Sequence, residues 1–312
     1  MHWLEGHKKD VRAVAYTPDG RLVSGGSDRT VRLWAPISGK CLHTFKAVNV
    51  VYAVAASPDG KTAASAGRYP TVPYNEDDPY AATSNTVQLW NLETLQSITD
   101  LSWWMEFAPA SIWSLAFSAD GKYLAAASRV QSNSIIPDGG GGHWWRLGSE
   151  LYGYFPEYNA YAVGFAHKGS AVAVTHKNTV TVYPKPGEKK RASYPIPAEW
   201  SPAVVFLTKD KLAIASSSYL YFADTTKPIR PKQLPENVRT GIRTITALAA
   251  SPDGKLLLAG GKKAIECYDV PTRKLRVAYD FKMGIIHSLA FAPDGCTFAV
   301  AGAKGLLVCD VE

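Results

Sequence analysis

The sequence predicts an all-β protein, a seven-bladed β-propeller with four antiparallel strands in each blade. One phrase of alternating small and apolar residues, closed by a polar turn, recurs seven times along the 312 residues. No long segment shows the periodicity of a helix, whereas a period of two is typical of strands. The copies are VRAVAYTPDG (11–20), VYAVAASPDG (51–60), IWSLAFSADG (112–121), YAVGFAHKG (161–169), PAVVFLTKD (202–210), ITALAASPDG (245–254) and IIHSLAFAPDG (285–295).

The spacing of the copies is the second observation that favours a propeller. Most consecutive copies lie about 40–45 residues apart, which is typical of four-stranded blades. Two gaps are longer because they contain insertions, RYPTVPYNEDDPYAATS at 68–84 and RVQSNSIIPDGGGG at 129–142. Both insertions fall between the second and third strands, in the neighbouring blades two and three.

Each copy continues in the same order. The phrase is the innermost strand, where small residues such as Ala13, Ala53 and Ala249 suit the crowding near the axis. A small and apolar second strand follows, then a third strand such as TVRLW or TVQLW, then a short fourth strand. A single sheet cannot bury both of its faces, so we expect the blades to stack around a closed ring.

The two ends of the chain predict how the ring closes. The last copy stops at GLLVCDVE, after its third strand, and HWLE at the start of the chain has no innermost phrase before it. We therefore expect the N-terminal strand to supply the fourth strand of the last blade and to leave no open sheet edge. All residues are then used, which predicts one domain over 1–312.

Composition and charge bound the class of protein. Apolar residues make up 46% and charged residues 20%, which supports a full core. We find neither a secretory signal nor an apolar run long enough for a membrane span. Four cysteines without ligand or disulfide spacing favour a reducing, cytoplasmic location. The net charge of +7 permits contact with nucleic acid without requiring it.

The first blade carries the motif that resembles a known family. It contains Gly6-His7, then Ser24, Asp28 and Leu33-Trp34, and the second blade keeps Leu89-Trp90. On these residues the chain resembles the WD-repeat family, and its SPDG turns resemble those of bacterial members. The resemblance implies a scaffold for protein interactions.

The resemblance also implies a structural tetrad in blade one. His7, Ser24, Asp28 and Trp34 would form one hydrogen-bonded chain that is structural rather than catalytic. In the other blades the residue equivalent to Trp34 is predicted to be Leu147, Tyr183, Phe222, Tyr268 or Cys309.

A partner-binding rim is predicted where the inner strands begin, because long loops on a rigid scaffold commonly carry function. Aromatic and arginine side chains, which are enriched in binding hot spots, gather at these positions. The predicted rim residues are Arg12, Tyr52, Trp113, Tyr161, Trp200, Arg243 and His287, with Trp103 and Trp104 from the connection before blade three. An alternative is that several of them are buried under the two insertions.

Catalytic, metal and cofactor motifs are not recognised in the sequence. The run Gly139–Gly142 is interpreted as a flexible loop, and NEDDPY at 75–80 as a solvated one. We therefore predict a monomeric scaffold without enzymatic activity or cofactor that binds a protein or peptide and no membrane. Lys8-Lys9 on the same face hints at an acidic peptide. The alternatives are a nucleic-acid-binding propeller, and a small-ligand sensor or propeller enzyme using Asp10, Arg12 and His287.

Overall fold

The computed structural model describes residues 1–68, 84–104, 110–130, 141–197, 203–227 and 234–311. These residues form seven antiparallel sheets of four strands each, which confirms the predicted propeller. None of the described residues lies in a helix, and so none provides a helical membrane span. Within each sheet the strands follow chain order from the axis outward, except in the last blade.

The first three blades follow the short N-terminal strand β1 (His2–Leu4). Blade one contains β2 (Val11–Tyr16), β3 (Leu22–Gly26), β4 (Thr30–Ala35) and β5 (Lys40–Lys46). Blade two contains β6 (Val50–Ala56), β7 (Thr62–Arg68), β8 (Ser84–Asn91) and β9 (Gln96–Trp104). Blade three contains β10 (Ala110–Phe117), β11 (Tyr123–Val130), β12 (Gly141–Arg146) and β13 (Tyr152–Tyr158).

Beyond blade three, each strand contains four to six residues. Blade four contains β14 (Ala162–Phe165), β15 (Val172–His176), β16 (Thr179–Tyr183) and β17 (Ala192–Pro195). Blade five contains β18 (Ala203–Phe206), β19 (Lys211–Ser216), β20 (Tyr219–Asp224) and β21 (Glu236–Arg239). Blade six contains β22 (Ile245–Ala250), β23 (Leu256–Gly261), β24 (Ile265–Asp269) and β25 (Leu275–Tyr279). Blade seven contains β26 (Ile286–Phe291), β27 (Thr297–Gly302) and β28 (Gly305–Asp310).

The ring closes through the N-terminal strand. Strand β1 pairs antiparallel with β28, with Leu4 opposite Leu306. Leu4 is buried in a cluster that combines β1 with residues of blades one and seven, including Trp34 and Val308. The ring closes as predicted. Burial of Leu4 fixes the register of this short strand.

The Ser-Pro-Asp-Gly turns connect the first and second strands and are held by hydrogen bonds of their serine and aspartate side chains. In blade two the Ser57 hydroxyl donates to the Asp59 carboxylate at 2.5 Å, and the same carboxylate accepts from the Lys61 N–H at 3.0 Å. Gly60 closes the turn at φ 72°, a left-handed conformation that favours glycine. These turns lie on the face opposite to the two insertions.

The core lies between neighbouring blades, and the strand register corrects two sequence predictions. Trp34 pairs with Leu22, and the corresponding pair in blade three is Leu124 with Trp145. The equivalent of Trp34 in blade three is therefore Trp145, not Leu147. In blade five the same register places Ala223, not Phe222, at that position.

The structure also bears on the predictions for the glycine run and for the cysteines. Gly141 and Gly142 of the glycine run open strand β12, so this part of the run is not a loop. Packing explains the need for glycine, because a Cβ on Gly142 would lie 2.6 Å from the Phe155 ring. None of the four cysteines forms a disulfide. The acidic stretch 75–80 lies outside the described residues.

Candidate functional site at the mouth of the central channel

The innermost strands enclose a central channel with a cavity of about 580 Å³. All seven blades contribute to its wall, which consists largely of alanines such as Ala13, Ala53 and Ala247. Small side chains allow seven strands to converge and still leave an open channel. Arg12, Tyr52, Trp113 and His287 of the wall lie near the starts of the inner strands, on the face that carries the insertions, whereas Tyr16 and Phe117 end their strands at the other end of the channel.

β-Bulges place several of these side chains. In five of the seven inner strands the register with the second strand shifts near the start of the strand. The extra residues at these shifts are Arg12, Tyr52, Trp113, Thr246 and His287. A bulge residue is unpaired and its side chain is re-aimed, and all five residues line the channel.

Three aromatic residues of adjacent blades form what we call the aromatic collar, namely Tyr52, Trp113 and Tyr161. The Tyr52 and Trp113 rings stack with centroids 4.7 Å apart and planes inclined by 21°. Trp113 keeps 48% of its surface exposed although it is large and apolar. Tyr161 is half-buried and directly precedes β14. Its main-chain N–H donates a hydrogen bond to the Thr175 carbonyl at 2.9 Å.

Two arginines support the collar. The Arg12 guanidinium lies 5.7 Å from the centre of the Tyr52 ring, donates to Asp10 at 3.1 Å and donates to the Ser27 hydroxyl at 3.1 Å. The Arg129 guanidinium lies 5.5 Å from the centre of the Tyr161 ring. These cation–π contacts hold the rings of Tyr52 and Tyr161 in place.

Arg129 is the residue of the mouth that the sequence analysis missed. It belongs to β11, a second strand, and is the first residue of the second insertion. The seven aligned phrases cover only the inner strands and therefore exclude it. Its position at the base of an elaborated loop is the signal that could have identified it.

His287 lies opposite the collar in the channel wall. Its Nε2 atom is 3.8 Å from the Asp10 carboxylate, beyond hydrogen-bond distance. Burial, with a further contribution from the Arg12 charge, lowers the pKa of His287 to about 4. The ring is therefore neutral at pH 7.

Among the other predicted rim residues, Arg243 is the one whose side chain the structure describes. Arg243 is exposed in the connection before β22 and does not line the cavity. Trp103 and Trp104 end strand β9, opposite Asn85 and Ser84, and their side chains lie outside the described residues. Trp200 lies outside them altogether, as do 69–83 and 131–140 of the insertions.

The four residues of the predicted tetrad form one hydrogen-bonded chain in blade one. His7 Nδ1 lies 3.1 Å from each oxygen of the Asp28 carboxylate, and His7 Nε2 lies 2.7 Å from the Ser24 hydroxyl. Trp34 Nε1–H donates to the same hydroxyl at 2.8 Å. Burial lowers the pKa of His7 despite the nearby carboxylate, so we assign a neutral ring with its proton on Nδ1. The tetrad lies in the blade, outside the channel wall.

Other blades use reduced versions of this arrangement. In blade two Trp90 Nε1–H donates to Ser65 at 2.8 Å. In blade six the buried Glu266 carboxylate accepts from the Tyr268 hydroxyl at 2.5 Å and from the Gly241 N–H at 3.0 Å. Burial and the hydrogen bond to Glu266 raise the pKa of Tyr268. Each arrangement satisfies a buried donor.

The channel mouth has limited means for chemistry. The Asp10 carboxylate is engaged by Arg12, and His287 is too far from it to form a catalytic pair. Among the described residues no group of three or more His, Cys, Asp and Glu side chains is arranged to hold a metal ion. Stacked aromatics beside arginines are suited instead to binding an exposed segment of another molecule.

Part of the chain is similar to a known family of repeats. The family model for the WD domain, G-beta repeat, matches residues 1–35, 39–91 and 106–135. These ranges cover most of blades one and two and the first half of blade three. These matched residues make up less than half of the chain, so the chain is similar to this family over its first three blades, and its fold is a β-propeller.

Particular relatives are plant and insect proteins. The chain is 35% identical to the small ribosomal subunit protein RACK1y of Oryza sativa subsp. japonica over 127 residues, which is 39% of this chain and 33% of the relative. It is 42% identical to the ribosome biogenesis protein BOP1 homolog of Drosophila persimilis over 57 residues, which is 18% of this chain and 7% of the relative. The matches thus span at most about a third of these relatives, and neither of the two supports the expected bacterial character.

A solved structure supports the fold over the whole chain. The structure of U3-55K superposes with a TM-score of 0.78 and covers 99% of this chain and 98% of its own. The sequence identity is 15%, so this likeness concerns the fold alone.

Proposed function

We propose that this protein is a non-catalytic scaffold that binds an extended segment of another protein at the mouth of its central channel. The observation that carries the proposal is the exposed Trp113 ring, stacked on Tyr52 at the open end of the cavity. Exposed aromatic side chains that lie together with arginines are typical of binding hot spots. The rigid ring of blades holds Trp113 in place before any partner binds.

The dimensions of the site favour a segment over a flat protein surface. The channel is narrow and its walls are small and apolar, while polar groups gather at the mouth. One apolar side chain could enter the channel while the main chain that carries it lies across the collar. The printed names of the plant relatives place them in a ribosomal subunit, which is consistent with a role as an assembly component.

The proposal also includes the oligomeric state, the location and the rim residues. We propose that the protein works as a monomeric propeller in a reducing compartment such as the cytoplasm, supported by its unpaired cysteines. The rim residues of the proposal are Arg12, Tyr52, Trp113, Tyr161 and His287, with Arg129 added by the structure.

The test compares alanine variants in quantitative capture of partners from native lysate. We expect Trp113→Ala to weaken capture of a specific partner by at least about tenfold, as for a hot-spot aromatic residue. Tyr154→Ala is the matched control, because this tyrosine is 74% exposed on the outermost strand of blade three, away from the channel. Equal capture by wild type and Trp113→Ala would refute the proposed site.

A further inference from the structure

A second feature of the channel face is a group of lysines over blades six and seven, which we call the basic crescent. It consists of Lys262, Lys263, Lys282 and Lys304, all exposed. Lys262 and Lys263 lie between β23 and β24, Lys304 lies between β27 and β28, and Lys282 precedes β26. Four lysines from three separate connections thus share one face.

Main-chain contacts draw these three connections together. The Lys263 N–H donates to the Gly284 carbonyl at 2.8 Å, and Lys262 forms an isolated bridge with Ile285. On the other side the Ala303 N–H donates to the Ile285 carbonyl at 3.1 Å. The loop before β26 is therefore held between two turns, and the lysines surround it.

The crescent is not neutralised within the described part of the chain. None of its four lysines forms an ion pair there. The acidic residue of the loop is Asp280, whose carboxylate accepts from the Lys282 N–H at 3.0 Å.

Two of the four lysines lie in tight turns. Lys263 and Lys282 have φ angles of 76° and 54°, in the left-handed region that glycine or asparagine occupies more readily.

The crescent is continuous with the channel mouth. Ile285, at its centre, is 43% exposed although it is apolar. Two residues further along the chain, His287 lines the channel, and Arg12 of the neighbouring blade lines it next to His287. The mouth therefore has aromatic rings on blades two to four, contacted by Arg12 and Arg129, and the group of lysines on blades six and seven.

The position of the lysines favours one class of ligand. In a single-stranded nucleic acid, bases and phosphates alternate at every nucleotide, so its binding sites interleave aromatic and basic side chains. Here Arg12 and Arg129 lie beside the rings of Tyr52 and Tyr161, whereas the four lysines of the basic crescent lie across the mouth from the aromatic collar. The arrangement suits a ligand with one apolar end and one acidic end.

We infer that the segment bound by this protein is a bipartite peptide, with an apolar or aromatic anchor on the collar and a run of acidic residues on the basic crescent. This inference rests on the proposed function and adds the chemistry of the partner. Acidic side chains would contribute mainly orientation and association rate, and binding would weaken with salt.

A displayed library of random decapeptides tests the inference and does not require the natural partner. Selections are run on wild type, on Trp113→Ala, on the crescent variant Lys263→Glu/Lys304→Glu, and on Lys168→Glu/Lys274→Glu. The last variant makes the same charge change at two exposed lysines of the opposite face. Folding of each variant is checked by its unfolding transition.

We expect wild type and the opposite-face control to enrich peptides that combine an apolar residue with several Asp or Glu. The crescent variant should lose the acidic enrichment and bind the selected peptides roughly tenfold more weakly. Trp113→Ala should lose the apolar anchor. A wild-type consensus with an apolar anchor and no acidic residues would refute this inference and leave the proposed function intact.

Two further outcomes are decisive. No enrichment on wild type would overturn the proposed function and the inference together. Tighter binding of a ten-nucleotide single strand of uridine or thymidine than of the selected peptides, lost in the crescent variant, would assign the face to nucleic acid and refute the inference.

Discussion

Replacement of Ser24 by alanine tests how the tetrad stabilises blade one. The Ser24 hydroxyl accepts a hydrogen bond from Trp34 at 2.8 Å and donates to His7 Nε2 at 2.7 Å. Trp34 is fully buried and the His7 side chain is almost so. In Ser24→Ala both partners therefore lose their hydrogen bond, and water cannot replace it.

The expected cost follows from the number of unsatisfied groups. Each buried polar group without a partner costs about 1–3 kcal/mol, so Ser24→Ala should lower the free energy of unfolding by about 3 kcal/mol. Ser65 of blade two is the natural comparison, because it accepts from Trp90 alone among the described residues. With a single group left unsatisfied, Ser65→Ala should cost about half as much.

The assay is equilibrium unfolding in urea followed by tryptophan fluorescence, with Trp34→Phe and the Ser24→Ala/Trp34→Phe double variant completing a cycle. Once the indole donor is absent, the serine replacement should cost less than it does alone. A cost for Ser24→Ala no larger than for Ser65→Ala, or strict additivity in the cycle, would refute the account of the tetrad.

Three further predictions concern closure, titration and the bulges. Leu4→Ala should destabilise the ring by about 2–4 kcal/mol in denaturant unfolding, because Leu4 is buried between the first and last blades; a loss below about 1 kcal/mol would contradict closure by β1. The pKa of His287 is lowered to about 4 in the folded protein, whereas an unfolded histidine has a pKa of about 6.5. As the pH falls from about 6.5 towards 4, the unfolded chain therefore takes up a proton before the folded one does. The free energy of unfolding should decrease over this range by up to about 3 kcal/mol. NMR titration should show the pKa of His287 rising in Arg12→Met, and an unchanged value would exclude the arginine as a cause. Gly67→Ala should destabilise by about 2 kcal/mol or more, because a Cβ there would collide with the main-chain carbonyl of the neighbouring inner strand; Gly20→Ala, which meets no atom within 4 Å, should cost only about 1 kcal/mol from its positive φ.

The sequence alone determined the architecture. Seven copies of one phrase gave the number of blades, and the unmatched strand at the N-terminus gave the closure, because each copy encodes a local unit of alternating strands and turns. The same alignment identified residues of the channel mouth such as Tyr52, Trp113 and His287, since equivalent positions in a closed ring face the same axis.

The tertiary structure decided which side chains meet across blades. Arg129 reaches the ring of Tyr161 from a different blade, and Trp145 rather than Leu147 takes the inter-blade position of Trp34. The basic crescent gathers lysines from three connections that the sequence shows only as scattered charges. Repeat patterns report the path of each blade along the chain, whereas contacts between blades depend on register and bulges, which are fixed only when the ring is packed.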